Sequence, residues 1–222
     1  MSLRMRWAVV VAVATMMVVL DQWSKFLAVR NLTPGIANAH ERAVAEGRAR
    51  GAAGVVDDIR YFYGDVENPC AHDGFVYPRC EAVSVIDGFW AFRYVENKGA
   101  AWGLFAGTHD KFRVPFFFAI SIAAIAFIFS YLRKIGPEQR MMLLALSLVL
   151  GGALGNFIDR LHLRYVIDFI DWYVGTSHWP TFNVADAAIS TGVALLVLDG
   201  LLEPSRKKKA EADRRPEPSE VS

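Results

Sequence analysis

Residues 141–158 read MMLLALSLVLGGALGNFI, eighteen residues without a charge, in which Ser147 and Asn156 are the only side chains with hydrogen-bonding groups. A helix rises about 1.5 Å per residue and a bilayer's hydrocarbon core is about 30 Å thick, so a run of this length is a membrane span. Working outward, three other stretches have comparable length and composition: about Trp7 to Val29, with Asp21 and Lys25 interrupting the far end, about Phe112 to Leu132, and about Val184 to Leu202. In a chain of 222 residues with 54% hydrophobic content, four spans leave little for a soluble domain. The expected fold is therefore a mainly α membrane protein with four transmembrane helices. It forms one domain over 1–222, with 34–86 an insertion in the first outer loop and 203–222 a basic tail.

The net charge of +1 conceals an asymmetry. Arg4 and Arg6, then Arg133, Lys134 and Arg140, then the tail Arg206–Lys209 with Arg214 and Arg215 all fall on one side of four spans. The positive-inside rule places that side, and both termini, in the cytoplasm; the long 30–111 loop crosses regardless of its charge. The N-terminal run exceeds a signal peptide's apolar core and lacks a clear cleavage site, so it reads as an uncleaved first helix. The tail reads as an orientation signal with some attraction for anionic lipid rather than as a nucleic-acid patch.

The insertion differs from the rest of the chain. HERAVAEGRARGAAG (40–54) reads as a short polar helix or a mobile stretch, and IRYFYGDVENPCAHDGFVYPRC (59–80) as small irregular structure. Cys70 and Cys80, the only cysteines, are a candidate disulfide if this loop faces an oxidising compartment, and two free thiols otherwise. After the insertion, FWAFRYVEN (89–97) alternates like a strand, with Phe92, Tyr94 and Trp90 candidates for one face. Asn97-Lys98-Gly99 turns the chain, and AAWGLF (100–105) follows as a second strand or a re-entrant piece, a hairpin suited to an extended peptide.

Carboxylates bordering a membrane are costly without a partner or a task. Asp21 and Lys25 stand four apart on a helix, acid first, the favourable order for an ion pair, and read as a staple between helices. Three glycines in GGALGNFIDR (151–160) suit close helix approach, Asn156 needs a helix or ligand partner, and Asp159 beside Arg160 reads as a surface ion pair. Asp168, in VIDF, sits among apolar residues that raise a carboxyl's pKa, with Asp171 a competitor set beside Trp172 and Tyr173. Asp186, in FNVAD, opens the last helix, where the macrodipole favours a carboxylate, and Asn183 lies three residues before it on the same face.

Taken together on the outer side, Asp168 and Asp186 form a candidate acid/base pair. Two close carboxyl groups cannot both ionise easily, so one holds a proton while the other accepts one from water, the logic of an aspartic peptidase. Such chemistry needs no metal or cofactor. No HExxH helix is present, the five histidines are scattered and both cysteines lie in the insertion, so metal, Ser-His and Cys-His readings are weaker. A small transporter is a competing class, but the charged groups gather at one edge rather than crossing the bilayer. A scaffold whose long loop recruits partners is another.

DQWSK (21–25), YVENKGAAWGLF (94–105), GGALGNFIDR (151–160), VIDFID (166–171) and FNVAD (182–186), in this order, resemble the lipoprotein signal peptidase (signal peptidase II) family of aspartic membrane peptidases. The resemblance covers roughly 1–33 and 87–202. It implies cleavage of diacylglyceryl-modified prolipoproteins before the lipidated cysteine, in the bacterial inner membrane, with the site facing the periplasm and the hairpin forming a periplasmic cradle. It implies Asp168 and Asp186 as the catalytic pair, not Asp159 or Asp171. Asn97, Asn156, Arg160 and Asn183 would line the peptide and lipid site, and Asp21 and Lys25 would give structural support. Inhibition by globomycin, no cofactor and a monomeric enzyme belong to the same expectation. The chain departs from the family pattern in its long 34–86 segment and in Trp102, where the family generally has phenylalanine.

Overall fold

A computed structural model describes residues 1–64, 70, 80–98 and 110–212, without the side chains of 110, 111, 113, 114 and 203–212. The four spans are α1 (Leu3–Leu32), α4 (Asp110–Leu132), α5 (Arg140–Leu163) and α6 (Val184–Ala212). Each contains an apolar stretch long enough to cross a bilayer. Ser2 caps α1 by accepting from the Met5 N–H, and α5 stops where Arg164 turns left-handed at φ 67°. Helix α6 does not end with its apolar run but carries the first part of the basic tail to Ala212.

Helix α5 is the centre of the bundle: 50% of its apolar window is buried, against 11% for α1 and for α4, whose remaining faces are left to lipid. The glycines on α5 explain how it gets there. A side chain at Gly152 would run into the Ala185 carbonyl oxygen of α6, and one at Gly155 would meet the Asp21 carboxylate of α1 at 2.5 Å. At one end of the bundle, Val10, Ala14, Ile128, Leu132, Leu143, Leu146 and Leu150 form an apolar core, and the Arg6 guanidinium donates to the Ile135 carbonyl.

The opposite end carries everything else. A four-stranded antiparallel sheet runs in the order β1 (Val83–Ile86), β2 (Trp90–Asn97), β3 (Val166–Val174), β4 (Ser177–His178). Val95 faces Asp168 and Asn97 faces Val166 across the β2–β3 pair. The alternation expected of β2 is broken by a register shift between Phe92 and Val95, and the strand buries Ala91, Tyr94 and Glu96 instead of one aromatic face. Strand β2 pairs with β1 and β3; the strand expected at 100–105, with Trp102, lies outside the described residues.

The insertion contributes two helices, α2 (Gly35–Ala45) and α3 (Val55–Gly64). The polar helix expected in its early part is present as α2, displaced toward residue 35. The irregular structure expected from residue 59 onward is instead helical through Gly64. Asp57 accepts from the Gly54 N–H at 3.1 Å where α3 begins, and Asp58, Tyr61 and Phe62, at helical spacing, form its buried face. Valines and aromatics in that run hid a helix that tertiary burial stabilises. Ile36, Ala39, Ala43, Tyr61 and Phe62 join Phe26 and Val29 of α1 and Tyr94, Ile167 and Phe169 of the sheet in a second core. Cys70 and Cys80 are joined as a disulfide.

Candidate active site

Two hydrogen-bonded clusters meet where α1, α5 and α6 reach the sheet. The first surrounds Lys25. Its ammonium donates to Asp21 Oδ2 at 2.8 Å and Asn156 Oδ1 at 3.0 Å, and it lies 2.8 Å from Asp159 Oδ2. An ammonium has three protons, and here all three have acceptors, with Lys25, Asp21 and Asp159 almost wholly buried. The i, i+4 pair expected from the sequence is present, and a third charge joins it. Asp159, read as the surface partner of Arg160, points inward. Neighbouring residues on a helix project about 100° apart, so the two cannot share a direction. Gly152, Gly155, Asn156 and Asp159 instead follow helical spacing on one face, a polar continuation of the glycine stripe that the sequence displayed and the reading missed.

The same cluster fixes neighbouring backbone. Asp21 Oδ1 accepts from the Ala185 N–H at 2.9 Å, near the start of α6, and Asp159 Oδ2 accepts from the Ile167 N–H at 3.0 Å, one residue before Asp168. Gln22 Nε2 donates to Asp159 Oδ1 at 2.7 Å.

The second cluster holds the two aspartates singled out by the sequence. Asp168 lies on β3, buried, accepting from Asn183 Nδ2 at 2.7 Å and from Asn97 Nδ2 at 2.9 Å. Asp186 is half-buried in the first turn of α6 and accepts from Asn156 Nδ2 at 2.8 Å. Asn183 and Asp186 cap each other: Asn183 Oδ1 accepts from the Asp186 N–H at 2.9 Å and Asp186 Oδ2 accepts from the Asn183 N–H at 3.3 Å. This reciprocal arrangement has the form of a capping box, and it ties the carboxylate's position to the helix terminus itself. Asn183 Nδ2 also lies 3.1 Å from Asn156 Oδ1, so a chain of amides links both aspartates to Lys25.

Burial, followed by the negative charge of nearby Asp186, holds the Asp168 carboxyl well above the usual carboxylate range; the Asn97 bond, the Lys25 charge and the Asn183 bond only partly offset this. The elevation expected from its apolar neighbours is found. Arg160 stands beside the pair, its guanidinium 5.3 Å from the Phe117 ring centroid, and donates to the Asn156 carbonyl at 3.3 Å.

Asp171 belongs elsewhere. Three residues from Asp168 on an alternating strand, it points to the opposite face. It is buried and bound to Arg93 Nε at 2.9 Å and His178 Nδ1 at 2.8 Å. Among the described residues no three His, Cys, Asp or Glu side chains converge as a metal-ligand set. The arrangement that remains is a pair of carboxyl groups in unlike surroundings, one buried with a raised pKa, one half-buried at a helix start. Such a pair can deliver and accept protons on either side of a bound carbonyl.

Residues 65–202 match the family model described as signal peptidase (SPase) II. A lipoprotein signal peptidase of Anaeromyxobacter sp. (strain Fw109-5) is 42% identical over 216 residues, covering 95% of this chain and 94% of that one, so the similarity extends through most of the insertion. A lipoprotein signal peptidase of Geobacter sulfurreducens is 46% identical over 127 residues, 57% of this chain and 78% of that one. A bacterial membrane enzyme solved by the in meso method at 1.9 Å resolution superposes with a TM-score of 0.59 at 26% identity, covering 87% of this chain and 93% of that one. Four apolar helices, a small antiparallel sheet and a match over more than half its length make this chain a multi-pass membrane protease that belongs to the signal peptidase II family.

Proposed function

We propose that Asp168 and Asp186 are the catalytic aspartates of an endopeptidase that removes signal peptides from diacylglyceryl-modified prolipoproteins by cleaving before the lipidated cysteine. The observation that carries this reading is the shared amide framework that holds one buried and one half-buried carboxyl group at the mouth of the bundle. Asp186, at the positive end of α6, takes a proton from a water, whose oxygen bonds to the scissile carbonyl carbon. Asp168 donates its proton to the carbonyl oxygen. The tetrahedral diol then collapses: the C–N bond breaks, Asp186 gives its proton to the leaving nitrogen, and a diol hydroxyl returns one to Asp168. Asn97, Asn156 and Asn183 hold the carboxyl groups in place. Arg160, beside them, offers guanidinium donors to the substrate's backbone or lipid headgroup, and Asp21 and Lys25 support the site from beneath.

On this reading the enzyme sits in the bacterial inner membrane with both termini cytoplasmic and the site on the periplasmic side. It works as a monomer and is inhibited by globomycin. A reporter active only in the cytoplasm, fused after Ala212, tests the orientation; its inactivity would reverse it. The activity itself is tested with purified protein and a diacylglyceryl-modified precursor peptide. Wild type cleaves before the modified cysteine and globomycin stops it, whereas Asp168→Asn and Asp186→Asn, folded normally, each lose about a hundred- to ten-thousandfold in rate. Cleavage retained by either variant removes that residue from the mechanism.

A further inference from the structure

The insertion reaches the buried charge cluster. Contacts between α3 and α1 run in opposite sequence directions: Asp58 pairs with Arg30 at 3.1 Å, Phe62 meets Phe26 edge-on at 5.8 Å, and the Tyr63 hydroxyl donates to Gln22 Oε1 at 3.0 Å. Helix α3 is thus strapped antiparallel along the last turns of α1. The Tyr63 ring also meets His162, at the end of α5, at 5.5 Å. Tyr63 stands before residues 65–202, the part of the chain that the family model matches.

Gln22 occupies a position where its orientation matters. Its Nε2 faces Asp159 Oδ1 at 2.7 Å, the Gly155 carbonyl at 3.2 Å and Asp21 Oδ2 at 3.3 Å, all acceptors. A flipped amide would turn its oxygen onto two carboxylates. The Tyr63 hydroxyl donates to Oε1 and so selects the orientation that presents the NH₂ group to Asp159. Asp159 in turn accepts the Ile167 N–H beside Asp168 and binds Lys25, which donates to Asn156, the donor to Asp186. Burial and the negative charges of Asp159 and Asp21 raise the Tyr63 pKa, so the phenol keeps the proton it donates.

We propose that Tyr63 is a positioning residue supplied by the insertion, which acts through Gln22 and Asp159 to set the placement of both aspartates. This rests on the peptidase reading above. Loss of one hydrogen bond to a buried network predicts that Tyr63→Phe lowers kcat about three- to tenfold, while KM stays within about twofold. Because the effect passes through Gln22, the double variant Tyr63→Phe/Gln22→Leu loses no more than Gln22→Leu alone.

The test measures kcat and KM for the full chain in lipid nanodiscs on a diacylglyceryl-modified precursor peptide, for wild type, both single variants, the double variant and Asp168→Asn. Thermal melts fix the folded fraction of each. A fall in kcat at unchanged folded fraction, absent from the double variant relative to Gln22→Leu, supports the proposal. An unchanged kcat in Tyr63→Phe, a loss that multiplies with that of Gln22→Leu, or a loss explained by unfolding overturns it. Inert wild type, or full activity in Asp168→Asn, would instead overturn the peptidase reading or its dyad, and these outcomes are distinct from the others.

Discussion

The Lys25 cluster and the Asp168–Asp186 cluster each contain two carboxyl groups and share Asn156, yet they are built for opposite ends. Asp21 and Asp159 close on a cation, and their remaining lone pairs take backbone N–H groups of α6 and β3. Their charges are neutralised in part and their positions pinned. Asp168 and Asp186 are bound by side-chain amides, a backbone N–H and each other's surroundings, with no ammonium in contact among the described residues. Amides orient a carboxyl group without fixing its protonation state as strongly as a contacting cation does. On the proposed reading, the first cluster supports the helices and the second exchanges protons with substrate.

The comparison breaks if the Asp168→Asn and Asp186→Asn variants still cleave, which is the largest effect expected. Asp168→Asn sharpens it in a second way. The Asp168 carboxyl titrates higher in the folded than in the unfolded chain, so the unfolded state releases its proton first as pH rises. Its contribution to stability is therefore present below the ordinary carboxylate range and lost as pH climbs toward its raised value. The asparagine variant should melt higher than wild type near neutral pH, with the gap closing under acid, by circular dichroism. A variant that melts lower at neutral pH would contradict that sign.

The charge cluster should respond in the opposite manner. Lys25→Met leaves two buried carboxyl groups around an apolar side chain and should cost about 3–5 kcal/mol of stability, seen as a lower melting temperature or lost folded yield. A Lys25→Met protein as stable as wild type would mean that the cluster is not a staple. A smaller effect belongs to Asn97→Ala. The Asn97 bond favours the ionised form of Asp168, so its loss should move the alkaline limb of the kcat–pH profile upward. Movement toward lower pH would assign that limb to another group. Smallest of all, Asp171→Asn should leave cleavage intact, because Asp171 lies on the opposite face of β3 with Arg93 and His178. Lost activity at normal stability would make it a participant.

Much of this was readable beforehand, for identifiable reasons. Span length is set by bilayer thickness, so hydropathy found four helices. The pair Asp21 and Lys25 is a local i, i+4 relation, and Asn183 and Asp186 are neighbours in a helix cap. The elements that escaped are those whose partners are remote in sequence. Gln22 meets Asp159 and Tyr63 across 137 and 41 positions, and nothing near any of them announces it. Asp171 stood as a competitor of Asp168 because its partner Arg93 comes from another strand.

The sequence by itself determined that the chain spans a membrane four times, that its insertion is compositionally foreign, and that Asp168 and Asp186 flank spans inside recognisable motifs. These follow from composition and short-range spacing. Only the tertiary structure decided that Asp159 turns inward to share Lys25, that amides join the two aspartates, and that Tyr63 of the insertion touches this network. Hydrogen bonds between groups buried together depend on which helix faces meet, and the close approach at Gly152 and Gly155 sets that.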